Sequence, residues 1–478
     1  MGGGVRQTLL VVVVVAVMMG SCEGFMEWLS WGVAKQDLCE SPCRCPEDVV
    51  LASQRGIDCV GCNLTYISEG LDIPKVYPSI TFSRNHIKSL SPDTFKPSTT
   101  LVSLDISNNE LQSLPGSVFK PLQVLSILVL NNNNISTIDE EAFAGLDNLT
   151  QLDLSYNRIQ RLPKEVFQDL ESLVDLNLGF NPIGVLNESL LEHTPNLKTI
   201  DLSKLGLKSI PASFFMANLT KLERVSLAYN QLRVVPSKTL NTLRSSLLHL
   251  DLSGNAFTSL GAYSFYGLDK LRTLTLEQMM KLRTIDAYAF GDLAVLDTLV
   301  MRYLPWIETI DPKAFHSVKN GKESTLVISD FTFAFSSLHT LPEDLLPWDQ
   351  LHYISLEFNH WLCDCNMRWV KNSTAIMSIN GMRMMCLEPQ RLRGYRIAHV
   401  KDEDLTCDNP TPSTRGAFGF LVVVMIAGLS ASLATISLLV YWQRGWVCRR
   451  PPERGYSTIQ QGGSTITIMD DINNTSEA

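Results

Sequence analysis

The asparagines of this chain fall on a fixed interval, and that interval limits the folds open to it more than any other feature. Asn85, Asn109, Asn133, Asn157 and Asn181 stand 24 residues apart, and the register runs on through Leu205, Asn230, Asn255, Met279 and Leu304 in steps of 24 or 25. Ten registers of one period call for a stack of similar coils rather than a folded globule. Around each anchor the same apolar positions return, as in Leu101, Leu104, Ile106, Asn109 and Leu111, or Leu149, Leu152, Leu154, Asn157 and Ile159. The template is LxxLxLxxNxL. Its leucine pair two apart makes a short strand with both side chains on one face, and the rest of the coil must turn back to stack on its neighbour. The asparagine can satisfy backbone groups of adjacent turns that are otherwise buried without partners.

A second apolar marker follows each anchor: Phe95, Phe119, Phe143, Phe167, Leu191, Phe215, Leu240, Phe265, Phe290 and Phe315. We read these as a packed spine under the outer side. The register weakens after Leu304, where residues Lys319 to Thr325 are polar and glycine-bearing. Leu326, Ile328, Phe331 and Phe333 then make one irregular turn before Leu351, Ile354, Leu356 and Asn359 form the last. Residues 77–358 thus hold ten clear repeats and two imperfect ones, the irregularity read as drift in preference to the alternative of a loop that reaches a partner.

The ends of the chain speak of membranes. Residues 1–22 carry Arg6, an apolar run from Leu9 to Met19, then Gly20 and Ser21, the pattern of a cleaved secretory signal. Residues 418–442 are 25 residues without a charge, long enough to cross a bilayer. Arg444, Arg449, Arg450 and Arg454 lie beyond this span, whereas Asp402, Glu403, Asp404 and Asp408 precede it. The positive-inside rule places the tail, residues 443–478, in the cytosol and everything before the span outside the cell. The expected location is the plasma membrane, single-pass, with the N-terminus outside. Acceptor sequons at Asn63, Asn134, Asn148, Asn187, Asn218 and Asn372 fit a glycosylated exterior.

A stack of coils has apolar edges at both ends. Cysteines cluster at those two places: Cys39, Cys43, Cys45, Cys59 and Cys62 in residues 23–76, and Cys363, Cys365, Cys386 and Cys407 in residues 359–408. An oxidising route favours disulfides over zinc. Both clusters resemble the flanking domains of extracellular leucine-rich-repeat proteins. That resemblance implies pairing of Cys39 with Cys45, Cys43 with Cys59, Cys363 with Cys386, and Cys365 with Cys407. Cys62 departs from it and leaves three outcomes: a lone thiol, a replacement for Cys59, or a bond to another chain.

With signal, caps, repeats, a stalk at 409–417, a span and a short tail, residues 39–442 resemble leucine-rich-repeat transmembrane proteins of the adhesion and receptor kind. The resemblance implies an α/β solenoid curved into a horseshoe, parallel strands on the concave face, and a protein ligand bound there. The nonleucine strand positions should set that face. They offer Glu223 and Glu277 beside the anchors we single out: Tyr156, Phe180, Arg224, Tyr229, Arg272, Arg302 and Tyr303. Asp105, Asp153, Asp201 and Asp251 repeat at the strand centre and read as scaffold rather than a calcium site.

The chain has 40 basic and 49 acidic residues, a net charge of -9, which gives no support to nucleic-acid binding. No nucleophile, base and cofactor converge, so neither enzyme activity nor a cofactor or metal is expected. The expected partner is an extracellular protein or an opposing ectodomain, with a coreceptor carrying any signal. A second copy could pack through the span, where Ala427, Gly428, Ala431 and Ser432 place small residues four apart. The alternative functions are a pathogen-sensing receptor and a shed ectodomain acting as decoy. The tail is Ser-, Thr-, Asn- and Gly-rich, which predicts disorder. Within it Tyr456 and Ile459 resemble a tyrosine-based sorting signal read by a clathrin adaptor, which implies endosomal cycling.

Overall fold

The computed structural model describes residues 43–45, 56–71, 73–215, 219–319, 321–380 and 383–407, together with the backbone of 457–461 and 464–468. The chain divides into Met1–Asp408 and Asn409–Ala478. In the first unit, each coil contributes one short strand to a single 13-stranded sheet that runs in chain order from Ile57–Asp58 to Tyr353–Ser355. Every pairing in this sheet is parallel. The register never slips where Ile80, Leu104, Leu128, Leu152, Leu176 and Ile200 stand side by side. The period of the sequence therefore becomes a column of buried leucines in space, with the flanking strand residues turned outward.

Lone strands of three residues cannot hold a coil, and the anchor amides supply what they lack. Asn157 Nδ2 donates to the carbonyls of Leu154 (2.9 Å) and Ser155 (3.2 Å) in its own coil and of Leu130 (3.1 Å) in the coil before. Its Oδ1 accepts the Ile135 N–H at 3.0 Å. Asn109, Asn133 and Asn181 repeat this set with the same partners one coil along. Each amide thus closes its own turn and fastens it to the previous one.

Opposite the sheet, the phenylalanine spine is fully buried. Ring centroids are 6.0 Å apart for Phe95 and Phe119, 6.3 Å for Phe119 and Phe143, and 6.1 Å for Phe143 and Phe167. The series resumes at 5.7 Å for Phe265 and Phe290, and 4.6 Å for Phe290 and Phe315.

The late irregularity is an insertion rather than the drift expected from the sequence. After Phe315 an antiparallel hairpin, His316–Lys319 with Lys322–Thr325, is inserted into one coil. Glu323 ties it down by accepting from Tyr288, Lys313 and His316. The coil then recovers: Asp330–Ala334 joins the sheet in full register, and Ser336 stands in for the asparagine. Ser336 Oγ accepts from the Leu304 N–H at 3.0 Å and donates to the Ala334 carbonyl at 3.0 Å. Beyond Asn359 the ladder gains one more rung, because Asn380 Oδ1 accepts the Leu356 N–H and its Nδ2 donates to the Ile354 carbonyl.

Both ends of the sheet are covered. At the first strand, Arg44 exchanges backbone hydrogen bonds with Asp58 in an antiparallel bridge, and Cys43 is bonded to Cys59. Cys59 rather than Cys62 is therefore the partner of Cys43. Cys45 is also disulfide-bonded, while Cys39 lies outside the described residues. At the last strand, helices Arg368–Asn372 and Thr374–Ile379 bury Met367, Val370 and Ile376, and disulfides join Cys363 to Cys386 and Cys365 to Cys407.

Among the described residues no helix is long and apolar enough to cross a membrane; the 418–442 segment lies outside them, as do residues 1–22. The tail expected to be disordered carries an antiparallel hairpin, Ser457–Gln461 with Ser464–Ile468. Its Thr and Ile residues are strand formers and flank the Gly462–Gly463 pair, a local preference that overall polarity conceals.

Replacing Asn157 with leucine strands the Ile135 N–H in the core and takes one of two donors from each of the Leu130, Leu154 and Ser155 carbonyls. We expect a loss of roughly 3 kcal/mol in urea unfolding, against less than about 0.5 kcal/mol for Glu140→Ala on the exposed surface. A second expectation concerns His360, whose imidazole is held below its usual 6.5 by burial first and by His339 second, with Glu388 opposing. The unfolded chain takes up this proton more readily. Stability should hold above pH 6.5 and fall as the pH drops beneath it, and His360→Gln should flatten that dependence in thermal melts at a series of pH values.

Candidate binding surface

The outward strand positions and the turn that follows them form the surface on which a partner could settle. Arg224 opens the strand Arg224–Ser226, Arg302 closes Thr298–Arg302, and Arg272 immediately precedes Thr273–Thr275. Arg224 and Arg302 lie on the sheet, while Arg272, expected on a strand, lies just before one.

The aromatic residues do not lie on the strands. Tyr156, Phe180, Tyr229 and Tyr303 sit past the strand, each one residue before its anchor, in the left-handed region with φ of 53°, 60°, 56° and 58°. The physical reason is the asparagine ladder. To reach the anchor, the chain must turn abruptly after its last strand leucine, and a single left-handed residue makes that turn. The side chain at this position is swung to the rim of the sheet, so the rim carries one residue from each coil in an unbroken row.

That row is organised by stacking. The Tyr156 and Phe180 rings stack at 4.1 Å between centroids, and Lys204 Nζ covers the Phe180 ring at 5.1 Å. Towards the other end, Tyr303 stacks on Phe335 at 5.0 Å and Phe335 on Phe358 at 4.6 Å. Tyr156 is 48% exposed, Tyr229 42% and Phe358 64%, which is unusual for such large apolar groups. Phe335 and Phe358 were missed in the sequence. Phe358 directly precedes Asn359 and could have been found by position, but the serine anchor at Ser336 hid Phe335.

Between the two stacks, Tyr229 lies flat over Gly254, which occupies the same rim position with φ of 66°. A Cβ there would collide with the tyrosine ring, so glycine is what lets Tyr229 lie down. Burial raises the Tyr229 phenol above its usual 10.0, helped by the carboxylates of Asp251 and Glu277. Glu277 also pairs with Arg302 at 3.7 Å. An open groove of ≈ 870 Å³ runs beside the first stack, bordered by Asn134, Tyr156, Phe180, Lys204 and Tyr229.

The repeated aspartates, expected at the strand centre, each close a strand instead, because the strands are only three residues long, and they work as scaffold. Asp105, Asp153, Asp201 and Asp251 accept the N–H groups of Ser107, Ser155, Ser203 and Ser253 at 2.8 to 2.9 Å, each two residues on. Among the described residues, no group of three or more His, Cys, Asp or Glu could hold a metal ion. Of the sequon asparagines, Asn63, Asn148, Asn187 and Asn372 are exposed and Asn134 is half-buried at the groove, while Asn218 and Tyr456 lie outside the described residues. Ile459 falls within the tail hairpin.

The family profile described as Leucine rich repeat matches residues 79–130, 99–159, 123–183, 148–204, 220–279 and 245–303. The coils are leucine-rich repeats. Among solved structures, these leucine-rich repeats are similar to a chain of an octameric complex of Latrophilin 3, Unc5D and FLRT2. The identity is 21%, 77% of this chain and 99% of that chain are covered, and the TM-score is 0.51. A chain of a TLR13–ssRNA13 complex matches at 22% identity over 69% of this chain and 54% of that one, with a TM-score of 0.50. A chain of the Toll–Spatzle complex of Drosophila matches at 20% identity over 72% and 57%, with a TM-score of 0.47. The chain thus spans about half the length of the TLR13 and Toll structures it matches. The likeness is one of fold. No curated protein matches the chain.

Gly254→Ala tests the rim geometry. It should destabilise the fold by about 1 to 2 kcal/mol and displace the Tyr229 ring, read as a change in the near-ultraviolet tyrosine signal.

Proposed function

We propose that this chain is a single-pass cell-surface binding protein, an adhesion molecule or coreceptor, whose leucine-rich repeats recognise an extracellular protein along the exposed strand face and rim of the sheet. The observation that carries this reading is the row of stacked aromatics, exposed Tyr156 with half-buried Phe180 and the exposed Tyr303, Phe335 and Phe358. Stacking fixes these rings in advance, so a partner that covers them gains apolar contact with little further loss of side-chain freedom. Nothing in the packing of the coils requires large apolar groups at the rim, since Asn108, Asn132 and Gln278 hold the same position elsewhere.

The apolar segment at 418–442 with arginines behind it supports an anchored ectodomain, and the nine cysteines clustered at the ends, seven of them disulfide-bonded, fit flanking caps in an oxidising space. A protein ligand accords with the Latrophilin 3, Unc5D and FLRT2 assembly, whereas the net charge of -9 argues against RNA of the kind in the TLR13 complex.

The test is substitution of Tyr156, Tyr229 and Tyr303 together by alanine in the full chain. Surface display and secretion-route glycosylation should be retained. Capture of ligands found by screening the wild-type chain against cell-surface proteins should fall at least about tenfold. Undiminished capture by a correctly displayed variant would refute the rim as the binding site.

A further inference from the structure

The sheet carries a second feature that neither the coil packing nor the aromatic row explains. Arg224 is paired in register with Thr199 on one side and His249 on the other, and His249 is paired with Thr273. Lys198 and Arg272 are the residues just before Thr199 and Thr273. Four consecutive coils therefore place Lys198, Arg224, His249 and Arg272 along the entry edge of the strands, across a run of about 15 Å at the usual strand spacing. Lys198, Arg224 and Arg272 are exposed and His249 is half-buried.

We infer that this basic run receives a short carboxylate-rich segment of the protein partner, laid across the strands. This deepens the proposed binding role and rests on it. The run is bounded by acids: Asp175, in register with Thr199 on the preceding coil, and Asp297 on the coil after Arg272. An extended peptide with carboxylates on alternate residues, about 7 Å apart, fits about three of them between those limits. A long polyanion would run on into Asp175 and Asp297 and be repelled. The Coulombic balance inside the run is positive. Glu223, 3.7 Å from Arg224, opposes it, and the Asp251 carboxylate on the same strand as His249 is engaged by the Ser253 N–H. His249 is held below its usual 6.5 by burial first, then by Arg224, with Arg272 adding to it and Glu223 opposing. Both arginines thus act on the space around this one imidazole. The stretch from Leu219 to Lys371 also contains no acceptor sequon, so a glycan would not stand over Arg224, His249 or Arg272.

The experiment measures binding of the full chain in detergent micelles to a fluorescent peptide of about seven residues with glutamate at alternate positions, beside its glutamine counterpart. The glutamate peptide should bind at least about tenfold better, and Arg224→Gln with Arg272→Gln should erase that preference. Lowering the pH from about 7.5 to about 5.5 should strengthen binding through protonation of His249, an increment absent in His249→Gln. No preference for glutamate over glutamine, or a preference unchanged by the arginine pair, would overturn the inference. A sulfated heparin octasaccharide that bound more tightly than the peptide through the same arginines would overturn it in favour of a polysaccharide. The variant lacking Tyr156, Tyr229 and Tyr303 should keep the glutamate preference, so failure here and failure of the aromatic rim can be told apart.

Discussion

One side-chain amide, repeated, holds this protein together. A coil of 24 residues with a three-residue strand leaves much of its backbone unpaired, and burying such groups costs about 1 to 3 kcal/mol each. Asn157 meets three carbonyls and one N–H at once, and those groups belong to two different coils. Leucine burial drives the stack to form, but it is non-directional and would tolerate sliding. The amides convert that attraction into a single register, and the constant strand pairing from Ile80 to Ile200 follows.

The same constraint shapes the surface. Delivering the anchor into the core forces the preceding residue into a left-handed turn, and that residue is thereby presented at the rim. Scaffold and rim are two sides of one dipeptide: the second residue is buried and fixed by packing, the first is turned to the rim and free to vary. Tyr156 and Phe180 occupy positions where Asn108 and Asn132 serve the coils before them, so their size is not a demand of the fold.

Much of this was legible in the sequence because periodicity and burial coincide. Asn85 to Asn255, the leucine pairs and the phenylalanine spine all announce themselves through spacing, and each stands where that spacing puts it. What escaped was whatever broke the spacing or used different chemistry. Ser336 does an asparagine's work with one hydroxyl, and Asn380 does it from the end of a helix. The hairpin at His316 to Thr325 displaced the register just where Phe335 stood. The aromatic candidates were assigned to the strand, since alternation alone cannot foresee a left-handed turn. The tail hairpin was missed because polarity was weighed above the local run of Thr and Ile.

The account depends on those buried amides bridging the coils in solution, and residue-resolved hydrogen exchange addresses that directly. The backbone N–H groups of Ile87, Leu111, Ile135 and Ile159 lie outside any strand yet each donates to an anchor Oδ1 of the next coil at 3.0 Å. They should exchange as slowly as the strand amides of Leu128 and Leu152. Exchange at the rate of exposed turns, with the strand amides still protected, would show that the asparagines do not carry the stack.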